Sequence, residues 1–331
     1  MTNAPTDVIA IGNAIVDIIG RCDDAFLVRH GAAKGSMQLV DAEKIVSLYK
    51  DCGPAIEISG GSAANTMVGI ASLGGTSAFI GKVSDDEFGR IFAHDIKAAG
   101  VAYATPASKG GAPTARSLIL VTPDGERTMN TFLGVSPELA VAEVDGAQIA
   151  AAKIVYLEGY LFDRDEAKAA FRAAAAHAQK AGRKVALTLS DAFCVDRHRT
   201  EFLTFIRDHV DILFANESEV TSLYQTKSFE DASRHAAIDA KVAVLTRSAR
   251  GAVIHSGGTS VEVPADKIEK VIDTTGAGDL YAAGFLFGHA RGLGPEVCGR
   301  LGALAAAEII SHVGARPQVA LASLAKQRGL I

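Results

Sequence analysis

Short apolar runs alternate along the chain with longer stretches whose apolar residues recur at helical spacing. Runs of about four to eight residues, bounded by glycine or polar residues, are typical of buried strands. They predict strands at residues 8–11, 78–83, 154–157, 185–189, 211–214 and 242–245. Helical spacing and capping residues predict helices at residues 42–50, 66–73, 86–99 and 166–181. This alternation, regular after residue 150, indicates an α/β protein with a mostly parallel central sheet and helices on both faces.

Two β-rich segments, residues 14–58 and 112–134, interrupt the alternation. The second is predicted to form a hairpin, with strands at residues 115–121 and 127–132 around the turn sequence Thr122-Pro123-Asp124-Gly125. We expect the two segments to form one small inserted sheet that covers an edge of the core as a lid. The α/β core would then consist of residues 1–13, 59–111 and 135–331.

Composition narrows the class of protein. The chain has 331 residues, 48% of them apolar, and a net charge of −5, so a broad basic surface for nucleic acid is not expected. No apolar run approaches about 18 residues and no signal peptide is evident, so a membrane partner is not expected either. Four scattered cysteines without a CxxC pair favour a reducing, cytoplasmic location. Nine dispersed histidines without ligand spacing argue against a zinc enzyme.

One stretch near the C-terminus carries candidate chemistry, Asp273-Thr274-Thr275-Gly276-Ala277-Gly278-Asp279. Its small residues let the backbone approach a ligand and leave the N–H groups of Gly276, Ala277 and Gly278 free. The residues after Asp279 are predicted to form a helix, so these groups would lie at a helix N-terminus, which favours an anion. Asp279 could then accept the proton of a hydroxyl that attacks a phosphoryl group. The alternative is a glycine-rich turn whose aspartate only complements the helix dipole.

This stretch, with Ala283-Gly284-Phe285 after it, resembles the C-terminal signature of the ribokinase-like (PfkB) carbohydrate and nucleoside kinases. It is long and specific, unlike an isolated glycine motif. The resemblance implies a ribokinase-like three-layer fold with a small inserted β lid. It also implies ATP as phosphoryl donor, Mg²⁺, and in some members K⁺.

Two further motifs resemble the family on its acceptor side. Gly12-Asn13 with Asp17 resembles the first substrate segment, where the aspartate binds sugar hydroxyls; an ionised carboxylate can accept two such hydrogen bonds. Gly60-Gly61-Ser62 with Asn65 resembles the di-glycine switch and the asparagine that contacts substrate hydroxyls. The alternatives are a solvent-facing loop aspartate and a glycine-rich turn that leads into a helix.

On the nucleotide side, Asn216 and Glu219 resemble the family's NxxE motif, which is tied to magnesium and phosphate placement. Magnesium commonly keeps several waters, so both side chains would act through water. An asparagine followed three residues later by glutamate is also a helix capping pattern. The two interpretations are compatible.

Weaker resemblances complete the ATP side. They assign nucleotide binding also to Thr246, Gly251, Gly278, Gly314 and Ala315. In some members the loop that matches residues 312–315 holds a monovalent cation together with backbone from the region of Asp273 and Thr275. Arg127, on a predicted lid strand, resembles a family arginine that reaches phosphate, although a solvated surface charge is its first interpretation.

Together the resemblances imply ATP-dependent phosphorylation of the 5′-hydroxyl of a ribonucleoside. Asp17 and Asn65 would fix the sugar, with Asn13 shaping that end of the site. Asp279 would take the proton of the attacking hydroxyl. With an ordinary aspartate pKa of about 3.9, it would be ionised at neutral pH without any large shift.

The acceptor is a separate question. The pattern of residues 12–17 and the run at residues 35–41 resemble adenosine kinases, so conversion of adenosine to AMP is the first expectation. Met37, Tyr160 and Phe162 are candidates for clasping a purine, because a flat base needs apolar faces, and ordinary packing is the alternative for each. The rivals are a free-sugar kinase acting on ribose or a related sugar, and a non-catalytic nucleoside-binding protein. Monomer and homodimer both stay open.

Overall fold

The computed structural model describes residues 6–331. Its strands are β1 (Thr6–Ile11), β2 (Ile15–Arg21), β3 (Met37–Leu39), β4 (Ala55–Gly60), β5 (Ser77–Ile80), β6 (Val101–Tyr103), β7 (Ala115–Val121), β8 (Arg127–Phe132), β9 (Ala152–Glu158), β10 (Lys184–Thr188), β11 (Ile212–Asn216), β12 (Val242–Thr246), β13 (Ala252–Ser256) and β14 (Thr259–Val263). Its α-helices are α1 (Asp24–Arg29), α2 (Ala42–Asp51), α3 (Ser62–Ser72), α4 (Glu87–Ala98), α5 (Gly146–Ala151), α6 (Asp165–Lys180), α7 (Ala192–His209), α8 (Glu217–Leu223), α9 (Phe229–Asp239), α10 (Ala277–Ala290), α11 (Pro295–Ile309) and α12 (Leu321–Gln327).

The larger sheet has nine strands in the order β14-β13-β12-β11-β10-β9-β1-β5-β6. The strands from β12 to β6 in this order are parallel, and β13 and β14 add antiparallel pairs at one edge. Side chains alternate between two cores: Val8 and Ala10 lie in one, and Ile9 and Ile11 in the other. Helices α3, α10 and α11 cover the first face, and α6, α7, α8 and α9 cover the second. The predicted α/β class is confirmed.

The smaller sheet, called the small sheet below, has five strands in the order β3-β8-β7-β2-β4. Its strands come from residues 15–60 and 115–132, and the antiparallel pairing of β7 with β8 confirms the predicted hairpin. Helices α1 and α2 cover one face, where Phe26 and Leu48 share a core with Val16 and Leu118. The opposite face carries Asp17 and lies near the edge of the central sheet. Its outer side chains Met37 and Ile56 are exposed, whereas Ile119 at its centre is buried.

That edge positions the candidate site. Because β1, β9, β10, β11 and β12 are parallel, their carboxyl ends meet there, and polar residues that follow them come together. Two helices begin at the same edge, α3 after Gly61 and α10 after Gly276. These glycines have φ of 97° and 79°, a region that side chains avoid. Both helices begin earlier than predicted, because each glycine turns the chain directly into its first helical residue.

Outside the two β-rich segments, three strands were not predicted, β6, β13 and β14. β6 has three residues, and three of the five residues of β14 are exposed, so neither has a full apolar run. Tertiary pairing, not local pattern, makes these segments strands. Within residues 6–331, no helix combines the length and apolarity needed to cross a membrane.

Candidate active site

The stretch 273–279 forms a turn that leads into α10. Within it, the amide of Ala277 donates to the carbonyl of Thr274 at 3.2 Å. Among the described residues, the amides of Gly276 and Gly278 have no protein acceptor, and a Cβ added at Gly278 would meet no atom within 4 Å. Two of the three predicted N–H groups are therefore available to an anion at the helix N-terminus, whereas the N–H group of Ala277 already donates a hydrogen bond within the turn.

Asp279 joins the first turns of two helices. Its Oδ1 accepts a hydrogen bond from the Ser62 hydroxyl at 2.6 Å, and its Oδ2 accepts one from Asn65 Nδ2 at 2.9 Å. Burial raises the pKa of Asp279, and these two donors and the Arg316 guanidinium lower it only in part. The expectation of an ordinary pKa is wrong, because a buried carboxylate loses hydration that its neighbours do not fully replace. The raised pKa makes Asp279 a better proton acceptor than a surface aspartate.

Asn65 has one end engaged and one end free. An ionised carboxylate only accepts hydrogen bonds, so the Asn65 nitrogen must face Asp279. The residue is 5% exposed, and its Oδ1 is buried without a partner. A buried oxygen without a donor is costly, so this atom suits the hydroxyl of a bound ligand.

Asp17 reaches the same place from the small sheet. Burial raises the pKa of Asp17 to about 6, although the guanidinium groups of Arg316 and Arg127 lower it. The Asp279 carboxylate raises that pKa further, so the two acidic residues lie close enough to interact. The structure thus brings Asp17 and Asp279 together with Asn65, as the sequence predicts.

The two glycines of the switch motif are required for different reasons. At Gly60, a Cβ would overlap the carboxylate of Asp17, so the absent side chain makes room for the acid. At Gly61, φ is 97° and a Cβ would overlap the carbonyl of Asn13. Gly60 therefore shapes the acceptor end, and Gly61 permits the backbone turn into α3.

Asn13 contacts the protein with both ends of its amide. Its Nδ2 donates to Glu158 Oε1 at 2.7 Å, and its Oδ1 accepts from the Ser136 hydroxyl at 3.0 Å. Glu158 also accepts from the amide of Ala63, in the first turn of α3, at 2.9 Å. Burial raises the pKa of Glu158 to about 7. Asn13 therefore supports the shape of the site, and Glu158 fixes both Asn13 and the helix.

Arg127 is not the solvated surface charge that was the first interpretation. Its side chain is 10% exposed, and Nη1 bonds the Asp273 carboxylate and, at 3.0 Å, the Thr275 hydroxyl. The amide of Gly314 donates to the same Asp273 oxygen at 2.9 Å. The side chains of the two residues predicted to help hold a monovalent cation are thus engaged by a guanidinium, so a cation here would rely on backbone carbonyls. Nε and Nη2 of Arg127 are buried without partners, which suits an anion.

Asn216 and Glu219 form a reciprocal cap at the start of α8. Asn216 Oδ1 accepts from the Glu219 amide at 2.9 Å, while the Glu219 carboxylate accepts from Asn216 N and Nδ2 at 2.9 and 2.6 Å. The capping interpretation is confirmed. Burial, with the carboxylates of Asp191 and Asp279, raises the pKa of Glu219 to about 7. The excess negative charge here suits a cation.

The other predicted nucleotide residues fall into two places. Thr246 ends β12 beside Asn216, its register partner on β11. Ala315 lies against Gly276 in the turn before α10. Gly251 has φ of 81° and no room for a Cβ beside the backbone of β14, so the fold alone requires glycine there.

The three residues expected to clasp a base differ in their surroundings. Met37 is 48% exposed on the edge strand β3. The amide of Tyr160 donates to the Ser190 hydroxyl at 3.2 Å and its phenol to the Ser190 carbonyl at 3.4 Å, which fixes it beside the loop after β10. Phe162 is 2% exposed and stacks on Phe202 with ring centroids 4.1 Å apart. The expectation for Phe162 is wrong, because the aromatic core encloses its ring.

Sequence reasoning missed three residues of this region: Glu158, Arg316 and Phe193. A glutamate directly after an apolar strand was an available signal for Glu158. Phe193 is 77% exposed in the first turn of α7, three residues after Ser190, whose φ is 71°. The exposure of Phe193 and the backbone conformation of Ser190 are visible only in the structure, so no sequence signal marked this residue. Arg316 directly follows Gly314 and Ala315, which the resemblance assigned to the nucleotide side, but no local signal indicated that its side chain reaches Ser59 and Ala64.

A helix N-terminus with free amides beside a buried carboxylate, at the edge of an α/β sheet, suits phosphoryl transfer to an alcohol, the reaction of one class of phosphotransferases. The family profile described as "pfkB family carbohydrate kinase" matches residues 56–320 of the chain. The chain therefore belongs to the pfkB family, and it is a kinase.

Relatives of both acceptor classes resemble the chain. An adenosine kinase from Sinorhizobium meliloti is 52% identical with a TM-score of 0.91, over 98% of this chain and 100% of that one. A probable sugar kinase from Rhizobium etli is 51% identical with a TM-score of 0.92, over 99% of this chain and 100% of that one. Probable fructokinase-6, chloroplastic, from Arabidopsis thaliana is 33% identical over 236 residues, which are 69% of this chain and 61% of that protein. The match thus spans less than two thirds of the fructokinase.

Proposed function

We propose that the protein transfers the terminal phosphoryl group of ATP to the 5′-hydroxyl of a ribonucleoside, and that adenosine is its acceptor. The observation that carries this proposal is the pairing of Asp279 with Ser62 and Asn65 at the N-terminus of α10. It places a proton acceptor beside two unpartnered amides. Phosphoryl transfer to an alcohol needs both, a site for the proton and donors for the anionic group.

In this mechanism, Asp17 and the Oδ1 of Asn65 accept hydrogen bonds from sugar hydroxyls and orient the acceptor. Asp279 accepts the proton of the attacking 5′-hydroxyl as the new P–O bond forms, and ADP leaves. The amides of Gly276 and Gly278 stabilise charge on the transferred group, and one such donor is worth roughly 3 kcal/mol.

Magnesium is expected to enter with ATP. The oxygens of Asn216 and Glu219 suit a hard cation, and because they already accept hydrogen bonds in the cap, contact through water fits them. Among residues 6–331, no group of three or more histidine, cysteine or acidic side chains could hold a metal ion by itself. When bound, the ion would neutralise phosphate charge.

The face of the small sheet that carries Asp17 favours a nucleoside over a free sugar. Successive register partners across the sheet form one apolar row, which consists of Met37, Met129, Ile119, Ile19 and Ile56. Asp17 lies two residues from Ile19, on the same face of β2. An acceptor whose hydroxyls reach Asp17 would therefore bring an attached base over apolar side chains, which suit a purine.

The core offers aromatic residues for the same base. Tyr160 is fixed by Ser190, and the exposed ring of Phe193 follows in the same loop. The 52% identity to the adenosine kinase also supports adenosine. We therefore assign the second apolar wall to Tyr160 and Phe193, in place of Phe162.

A free-sugar kinase is the second candidate, because a probable sugar kinase and a probable fructokinase are among the relatives. A non-catalytic nucleoside-binding protein is the third, and the buried, raised-pKa Asp279 argues against it, since a pure binder needs no base. The nucleoside kinase and the free-sugar kinase would share the phosphoryl-transfer end of the site. They would differ at the apolar row, which a base would cover only in the nucleoside kinase.

ADP release with adenosine, guanosine, inosine, ribose and fructose separates these functions. Saturable release with adenosine supports the proposal. Saturable release with ribose or fructose alone would contradict it and establish a sugar kinase. Adenosine binding without ADP release from any acceptor would establish the non-catalytic function. The Asp279→Asn variant is the control that ties any release to this site.

A further inference from the structure

Arg316 uses all three guanidinium nitrogens within the protein. Its Nε donates to the Ser59 carbonyl at 3.0 Å, its Nη1 to the Ala64 carbonyl at 3.1 Å, and its Nη2 to the Ser59 hydroxyl at 2.9 Å. Ser59 directly precedes the two switch glycines, and Ala64 lies in the first turn of α3. One side chain therefore donates hydrogen bonds to residues before and after the two glycines that link the small sheet to the core.

The residues around Arg316 connect these hydrogen bonds to α4 and to the turn before α10. The amide and hydroxyl of Ser59 donate to Asp95 Oδ2, on α4, at 2.7 and 2.6 Å. On the other side, the loop that carries Arg316 is anchored to the turn before α10, because Gly314 N donates to Asp273 Oδ2 at 2.9 Å. Arg316 thus connects the anion-binding turn to the switch segment.

Arg316 also supplies positive charge to the acidic residues of the site. Burial lowers the pKa of Arg316 to about 10, so it stays protonated at neutral pH. It lowers the pKa values of both Asp17 and Asp279. The pKa of Asp279 is lowered by the donors Ser62 and Asn65 and by Arg316. The Asp279 carboxylate in turn raises the pKa values of the titratable groups that face it, which are Asp17, Tyr156, Glu158, Tyr160 and Glu219. Arg316 is the cation of this set.

We propose that Arg316 is a positioning residue for phosphoryl transfer: it holds the switch segment in place together with the first turn of α3, which carries the two donors to Asp279, and it supplies positive charge to the site. The two effects depend on different properties of the side chain. The three hydrogen bonds to Ser59 and Ala64 need the planar guanidinium group, whereas the effect on the pKa of Asp279 needs only a positive charge. This inference rests on the proposed function, in which Asp279 is the base.

Three variants distinguish the effect of the guanidinium geometry, the effect of the positive charge and a general effect on folding. Arg316→Lys keeps the charge and loses the fork, Arg316→Met loses both, and Arg300→Met removes a charge from an exposed position on α11. We measure kcat and kcat/KM for adenosine against pH, with circular dichroism to verify folding. Arg316→Met is expected to move the acidic limb of kcat/KM to higher pH by about one unit, because Asp279 loses its cation.

Arg316→Lys is expected to keep the wild-type acidic limb and to raise KM for the acceptor, and Arg300→Met to match the wild type. An acidic limb that stays in place in a folded Arg316→Met variant would overturn the charge effect. If Arg316→Met does not fold, an Arg316→Lys variant with wild-type KM and kcat would overturn the positioning role.

A titration of the Asp279 carboxyl followed by ¹³C NMR measures the effect of the Arg316 charge on Asp279 and does not depend on enzyme activity. Its signal is assigned by comparison with Asp279→Asn. A higher titration midpoint in Arg316→Met supports the inference even when no acceptor gives ADP release, an outcome that would overturn only the proposed function. An unchanged midpoint would overturn the inference itself.

Discussion

The two halves of the candidate site are held together in different ways. In the core half, Asp279 is fixed by Ser62 and Asn65, and the anion-binding turn continues directly into α10. The small-sheet half packs against the core through an apolar cluster that both share, and polar contacts between distant residues, such as Arg127 with Asp273, connect it to the candidate site. The first half is therefore preorganised, whereas the position of the second depends on contacts that substrate can strengthen. We expect changes in the core half to act on turnover and changes in the small sheet to act on acceptor binding.

The strongest test of this comparison is Asp279→Asn. The amide keeps the size of the side chain but cannot accept the proton, so turnover should fall about 10²-fold or more. The melting temperature should change little, since a neutral group is easier to bury than a carboxylate. Asp85→Asn, at an exposed position, is the matched control. Turnover equal to that of the control would remove Asp279 from the role of base.

Asp17→Ala probes the small-sheet half. Hydrogen bonds to a charged group contribute about 1.5–3 kcal/mol, so KM for the acceptor should rise about 10- to 100-fold. KM for ATP should stay near the wild-type value, because the predicted nucleotide residues lie on the core. Initial rates with each substrate varied in turn measure both constants, and equal losses for the two substrates would contradict the division.

The link between the halves is tested by Gly61→Ala against Gly74→Ala. Both glycines have positive φ, 97° and 82°, but a Cβ would overlap the Asn13 carbonyl only at Gly61 and would meet nothing within 4 Å at Gly74. Gly74→Ala should cost about 1 kcal/mol of stability from backbone strain. Gly61→Ala should cost more and lower both kcat and kcat/KM. Denaturant unfolding with parallel kinetics measures the difference, and matching losses would show that the overlap is harmless.

The pH dependence of stability distinguishes the site's buried acids from surface ones. Burial raises the folded-state pKa of Asp17 to about 6 and those of Glu158 and Glu219 to about 7. The folded state then binds more protons than the unfolded state between about pH 4 and 7, so the free energy of unfolding falls as pH rises through that window. The melting temperature of the ligand-free protein should drop by a few degrees between about pH 5 and 7.5.

Glu158→Gln should flatten that decline, because glutamine does not titrate. A melting temperature that is flat or rises over the same window in the wild type would contradict the raised pKa values.

The smallest expected effect concerns K⁺. Because Arg127 already occupies Asp273 and Thr275, replacing K⁺ by Na⁺ at constant ionic strength should leave turnover unchanged. Activation by K⁺ would contradict this prediction and indicate coordination by backbone carbonyls of the same region. Arg90→Gln, at an exposed position, serves as the control for an Arg127→Gln variant, in which sensitivity to K⁺ can appear.

The sequence alone was enough for the α/β class and for the chemistry of residues 273–279. In the central sheet, both faces are buried, so each strand appears as a continuous apolar run that ends at a polar residue. The anion-binding turn and Asp279 are contiguous, so their relation needs no long-range contact. The segments β6, β13 and β14 lack such a pattern and escaped prediction.

Tertiary structure decided which distant side chains meet. Arg127 pairs with a residue 146 positions away, and Arg316 with one 257 positions away, so neither partner can be inferred from local spacing. Phe162 and Phe193 are both aromatic residues near strand ends, yet packing buries the first and exposes the second. The raised pKa of Asp279 likewise depends on burial, which a sequence does not display. Neighbouring residues determine local chemistry, whereas burial and long-range pairing arise only when the whole chain packs.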